Sequence, residues 1–169
     1  MPKKRIIYLL IGLLMIVVGG GILFILGVSG AFEPAKTELD AEYYCESTCE
    51  EEFTELTKAD YEDLIKKKKS FVIFVDQTGC DGADRLRKFS TDYFPENKVK
   101  IYKMMFSELK ETTLHEKVKY YPSIVVIRKG AVRTFLRADS DEDADAFNQY
   151  GSFIDWVNQR ILIKTLKRY

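Results

Sequence analysis

Phe71-Val-Ile-Phe-Val-Asp-Gln-Thr-Gly-Cys80-Asp-Gly-Ala83 is the stretch on which the fold turns. Phe71 to Val75 is a continuous apolar run, the pattern of a strand buried on both faces. Gly79 then breaks the run. A helical pattern opens at Asp81, with Leu86, Phe89 and Tyr93 on one face and Pro95 as its stop. Cys80 therefore stands alone between a strand and a helix. Helix N-termini present unpaired N–H groups and the positive end of the dipole, and so favour a thiolate over a thiol. Asp76, Asp81 and Asp84 oppose this, because nearby negative charge disfavours a thiolate. The simplest task of Asp81 and Asp84 is to complement the dipole of the first helical turn.

On the N-terminal side, Phe53 to Leu56 predicts a short strand and Thr57-Lys-Ala-Asp60 has the form of a capping box. Leu56 and Tyr61 are placed to staple across it. Tyr61, Leu64 and Ile65 recur at helical spacing as far as the lysine block Lys66 to Lys69, which reads as a solvated helix end or as a surface against anionic lipid. On the C-terminal side, Val99 to Met104 alternates as a strand does, and Ser107 is placed to cap a third helix reaching Val118. Ser123 to Arg128 and Ala131 to Leu136 predict two strands joined by a turn at Lys129-Gly130. Asp139 to Asp145 is an acidic loop without the spacing of a calcium-binding EF-hand. Ser152-Phe-Ile-Asp155 suggests a second capping box, opening a final helix whose stripe is Phe153, Trp156, Val157 and Ile161. Strands and helices in this order predict an α/β domain.

The first 32 residues have a different character. Lys3, Lys4 and Arg5 form a basic tail, and no charged residue occurs from Ile6 to Phe32. About 20 apolar residues cross a bilayer, so this stretch suffices as an anchor. A cleavable secretory signal is the other reading, with small residues at Ser29, Gly30 and Ala31; its apolar core would run to only about 7 to 15 residues. Basic residues precede the span and acids dominate after it, which keeps the N-terminus cytoplasmic and the rest outside. The expected organisation is thus a cytoplasmic tail over 1–5, a transmembrane anchor over 6–32, an acidic stem over 33–52 and a globular domain over 53–169.

The whole chain has 26 basic and 26 acidic side chains; setting aside Lys3, Lys4 and Arg5 leaves 23 basic against 26 acidic. That balance argues against a nucleic-acid partner. Cys45, Cys49 and Cys80 all lie in the exported part, where disulfides persist, and their odd number leaves one free or paired with another molecule. Cys45 and Cys49 are four apart. They suit a local disulfide, and either could instead serve as a resolving thiol for Cys80. Three cysteines with His115 would also make a tetrahedral metal set, a weaker fit than a disulfide. Neither a metal nor a cofactor is expected. His115 reads as a surface residue and Trp156 as core.

Three landmarks together resemble the thioredoxin superfamily over about 53–160. Cys80 stands where that family keeps its nucleophile. Tyr121-Pro122 before a strand resembles its cis-proline, and Gly130 resembles the glycine of its last hairpin. The resemblance implies a thioredoxin-like fold, a central mixed sheet flanked by helices, with Pro122 beside Cys80 and with Tyr121 and Pro122 shaping a groove for an extended polypeptide. Exported polypeptides, or a membrane-protein partner, are the partners it implies. Three catalytic parts of the family pattern are replaced, by Gly79 for the tryptophan, Ala83 for the second cysteine and Phe74 for the buried acid. Cys80 could then act as a monothiol nucleophile in thiol and disulfide handling, or the domain could be a redox-inactive binding module.

Overall fold

The computed structural model describes residues 35–164; the tail over 1–5 and the anchor over 6–32 lie outside the described residues. No helix among the described residues is long and apolar enough to cross a membrane. The elements are β1 (Thr54–Glu55), α1 (Lys58–Lys66), β2 (Phe71–Asp76), α2 (Asp81–Tyr93), β3 (Tyr102–Met105), α3 (Phe106–Leu109), β4 (Ser123–Arg128), β5 (Ala131–Phe135), α4 (Ala144–Asn148) and α5 (Tyr150–Arg160). Short 3-10 turns occupy Ala41–Tyr43 and Thr113–Glu116.

The sheet order is β1-β3-β2-β4-β5. β2 runs parallel to β3 and antiparallel to β4, and all six of its residues are buried. A strand covered on both faces has to be apolar throughout, as Phe71 to Val75 are. Burying a phenylalanine such as Phe71 or Phe74 contributes on the order of 2–3 kcal/mol. α2 and α5 pack together through Tyr93, Phe94 and Phe153, whose rings meet edge to face. Strand order, strand directions and flanking helices make this a thioredoxin-like fold.

Local chemistry explains several boundaries. Thr57 and Asp60 form the reciprocal capping box at the start of α1, with Leu56 and Tyr61 buried beneath it. β4 and β5 are joined by Lys129 and Gly130, both with positive φ, 51° and 74°, as a tight two-residue hairpin turn requires.

Other boundaries depart from the sequence reading. The helix expected from Ser107 to Val118 is two pieces, α3 and the 3-10 turn, and Met105 rather than Ser107 precedes the first. Thr112 divides them: its hydroxyl donates to the Leu109 carbonyl and accepts from the Leu114 N–H, offering the backbone an alternative to helix. β3 begins at Tyr102, while Val99, expected within it, pairs with Tyr44. α5 begins at Tyr150, so Ser152 lies inside it and the expected second capping box is absent. The acidic loop contains α4, and Asp143 is buried, accepting from the Arg137 N–H and from Trp156 Nε1.

The stem is the largest difference. From Thr37 onward it lies against the domain, with Leu39 and Tyr43 in the core. Thr37 pairs with Ile161, and the Asp40 N–H donates to the Ser70 carbonyl. Apolar side chains at Leu39, Tyr43 and Tyr44 among acids account for this, since each gains by covering the sheet.

Candidate functional site

Cys80 is the N-cap of α2, with φ −117° and ψ 118°. Gly79 at φ +76° turns the chain from β2 into this position. The Cys80 carbonyl accepts the Ala83 and Asp84 N–H groups at 2.8 and 3.1 Å, and its side chain makes no capping hydrogen bond. The thiol is free and half-buried.

β4 brings Pro122 to this loop. Ser123, its first residue, pairs with Val75 near the end of β2, so the residue before it reaches the strand-to-helix junction. The Tyr121-Pro122 peptide is cis. A Cβ built on Gly82 would lie 3.7 Å from Cys80 Sγ and 3.9 Å from the Pro122 ring, so both line the space above Gly82. Tyr120 is 51% exposed beside them. Tyr121 is half-buried with its ring centroid 3.5 Å from that of Phe106, and burial pushes its phenol up. Phe106 is part of this wall that the sequence alone did not single out. His115, expected at the surface, is half-buried against Phe106, and its Nδ1 is buried without a partner.

Phe74 and Ala83, the positions at which the resemblance would place an acid and a second cysteine, are both in the core. Phe74 is fully buried and stacks on Phe53 at 5.3 Å between centroids. Ala83 is fully buried. Asp76, at the end of β2, is bound by Arg87 through Nη2 at 2.7 Å and Nε at 3.2 Å, and Arg87 also donates to Asp84 at 2.7 Å. The hydrogen bond to Asp76 and, after it, the one to Asp84 hold Arg87 more firmly cationic than a free arginine. The charge of Asp76 is thereby committed to Arg87.

Cys45 and Cys49 are joined in a disulfide, with Cα atoms 5.6 Å apart. The Cys45 N–H donates to the Lys98 carbonyl and the Cys49 N–H to the Pro95 carbonyl, beyond the C-terminus of α2. Cys80 caps the other end of that helix. Its thirteen residues span about 20 Å, so the fold brings Cys80 together with Tyr121 and Pro122 and keeps Cys45 and Cys49 apart from them. Among the described residues there is no group of three or more histidines, cysteines or acids placed to hold a metal ion.

No family model and no curated protein matches the chain. Among solved structures it is similar to Trxlp from Edwardsiella tarda, at 13% identity over 61% of this chain and 96% of that one, with a TM-score of 0.46. It is similar also to thioredoxin from Schistosoma mansoni, at 20% identity over 64% and 95% of the two chains, with a TM-score of 0.44. For oxidised thioredoxin from Plasmodium falciparum the values are 14%, 58%, 97% and 0.44.

Proposed function

We propose that this is a membrane-anchored thioredoxin-like protein that handles thiols and disulfides of exported polypeptides through the single nucleophile Cys80. The observation that carries the reading is a free, half-buried thiol at the N-terminus of a thirteen-residue helix, beside Pro122. In the forward step the Cys80 thiolate attacks one sulfur of a substrate disulfide. A new S–S bond forms to Cys80, the substrate S–S bond breaks, and the second substrate sulfur leaves as a thiolate. A thiolate of the substrate, the same or another, then attacks the mixed disulfide and frees Cys80, so the cycle rearranges disulfides without net oxidation or reduction. The remoteness of Cys45 and Cys49 favours this substrate-resolved course over internal resolution. Tyr121 and Pro122 would shape the groove that receives the extended substrate.

The apolar stretch over 6–32 supplies the membrane anchor in this reading, with Lys3, Lys4 and Arg5 cytoplasmic and the domain outside. A disulfide at Cys45 and Cys49 suits an oxidising compartment. The test is to trap thiols rapidly in native membranes and map cysteine pairing by mass spectrometry. Mixed disulfides through Cys80 are expected, absent in Cys80→Ser; a Cys80 recovered wholly unmodified under disulfide stress rejects the thiol chemistry.

A second reading is a redox-inactive module that holds an extended polypeptide or a membrane partner. Phe74 and Ala83, both fully buried where the resemblance would place an acid and a second thiol, favour it, together with the exposed ring of Tyr120. It predicts that Cys80→Ser keeps the cellular role while Tyr120→Glu abolishes it.

A further inference from the structure

The end of the domain opposite Cys80 carries a divided charge. Lys68 and Lys129 stand side by side there, since the turn at Gly130 is seated on the chain that follows α1. A Gly130 Cβ would lie 3.1 Å from Lys68 Cα, and the Gly130 N–H donates to the Lys69 carbonyl at 2.8 Å. Both lysines hold left-handed backbone, φ 55° and 51°, where glycine or asparagine is the easier residue. Lys98 shares that conformation, but its ammonium is bound to the Glu46 carbonyl at 2.8 Å. Lys68 and Lys129, with exposed Lys66 and Arg128, have no ion-pair partner among the described residues, whereas Lys67 and Lys69 are paired with Asp63, Asp40 and Glu42. Acids gather at the other edge of the sheet, where Glu46, Glu50 and Glu51 line the groove beside the disulfide.

The polypeptide reaches the domain at this same end. Thr37 is fixed to the end of α5 and the chain just beyond it by hydrogen bonds with Arg160 and Leu162, and Asp40 to Ser70, the residue before β2. Ser70 in turn accepts the Lys129 N–H at 3.0 Å. From Phe32, the end of the uncharged stretch, to Thr37 is at most about 17 Å of extended chain. A membrane holding 6–32 therefore lies within a short tether of four unpaired cations.

We infer that Lys66, Lys68, Arg128 and Lys129 dock on the anionic headgroups of the lipid surface in which the chain is anchored, and so hold Cys80 facing away from the membrane. This rests on the anchor assigned under the proposed function. Surface charges interact over a Debye length of about 8 Å, less than the reach of the tether, so docking is a distinct state that the tether makes accessible. Glu46, Glu50 and Glu51 are repelled by the same surface, and the domain leans onto its β4–β5 edge. The six residues of β2 then lift the Cys80 loop about 20 Å, which directs it to soluble exported chains rather than to lipid-embedded ones.

The test uses the full chain in nanodiscs of phosphatidylcholine alone and of phosphatidylcholine with roughly one third phosphatidylglycerol, labelled with an amine-reactive acetylating reagent and read by mass spectrometry. Labelling of Lys66, Lys68 and Lys129 should fall about fivefold in the anionic discs and recover in roughly 0.5 M salt, with Lys119 near Pro122 unchanged in both. The double variant Lys68→Asn with Lys129→Asn suits the left-handed backbone and removes two charges, so it should fold as well or better while Lys66 loses its protection. Equal labelling in the two lipids, or protection that survives in the double variant, overturns the docking. A chain recovered outside both discs overturns the anchor and the docking together, whereas an unreactive Cys80 in a docked domain overturns only the thiol chemistry.

Discussion

Arg87 reaches back from the second turn of α2 to hold Asp76 with two hydrogen bonds, and this one guanidinium ties the end of β2 to the helix across the loop that carries Cys80. The Asp76 side chain is 6% exposed, so without Arg87 its charge would be left in a poorly solvated place. Arg87 is itself 34% exposed, and water moderates the loss. Arg87→Met should lower stability by about 2 kcal/mol, against about 3–5 for a fully buried pair. Asp76→Asn, which removes the charge and keeps the shape, should cost about half as much. Urea midpoints measure both; an Arg87→Met loss below about 0.5 kcal/mol would mean that the pair holds nothing.

The two ends of α2 separate stability from reactivity. Replacing Cys45 and Cys49 together by serine opens a small loop and should cost about 2 kcal/mol. Because that loop is bonded beyond the C-terminus of α2, the alkylation rate of Cys80 should stay within about twofold of the wild type. A change of tenfold or more would couple sites that the fold holds apart.

Ala83 occupies the first turn of α2, one helical turn from Cys80, and is fully buried. Ala83→Cys supplies a thiol close enough to pair with Cys80. The variant should form that disulfide on mild oxidation and, when kept reduced by dithiothreitol, should catalyse dithiol reduction of insulin, which the wild-type chain should not. Failure to form the bond under a strong oxidant would show that the first turn cannot bend to bring the sulfurs together.

What could be read from the sequence follows from where the chemistry is local. Thr57 with Asp60, the run from Phe71 and the Lys129-Gly130 turn each carry their own structure, and all three appear where expected. Cys80 beside Pro122 was legible only through the resemblance, because pairing β2 with β4 joins residues more than forty apart. Thr112 broke an expected helix through a side-chain contact that periodicity does not register. The packing of the stem is illegible for the opposite reason. Glu38 and Glu42 are exposed, but Leu39 and Tyr43 beside them are buried, and so few apolar residues give no period to detect.

Alkaline pH should find the buried phenols. Burial, and after it the hydrogen bond with Tyr102, pushes Tyr43 well above the usual tyrosine range; burial also raises Tyr61 and Tyr93. The folded protein holds these protons while the unfolded chain gives them up near pH 10. Their contribution is therefore complete below about pH 10 and is lost as pH rises above it. Tyrosinate absorbance from Tyr43, Tyr61 and Tyr93 should appear late, coincident with loss of far-ultraviolet circular dichroism. A single phase completed while the fold persists would contradict the burial of Tyr43.

Gly130 and Gly151 make a paired test of backbone and space. At Gly130 the backbone has φ +74°, and a Cβ would lie 2.6 Å from the Ile65 carbonyl oxygen. That oxygen belongs to the backbone of α1 and cannot swing aside as the tip of a long side chain could, so relief requires moving the hairpin away from the helix. Left-handed strain and overpacking act together, and Gly130→Ala should cost about 2–4 kcal/mol. Gly151 lies in the first turn of α5 with nothing within 4 Å of its Cβ position, so Gly151→Ala should stabilise by about 0.5–1 kcal/mol through the lower entropy of the unfolded chain. Denaturant midpoints moving in opposite directions are expected; a Gly130→Ala variant as stable as the wild type would mean that the β4–β5 turn is not seated on α1.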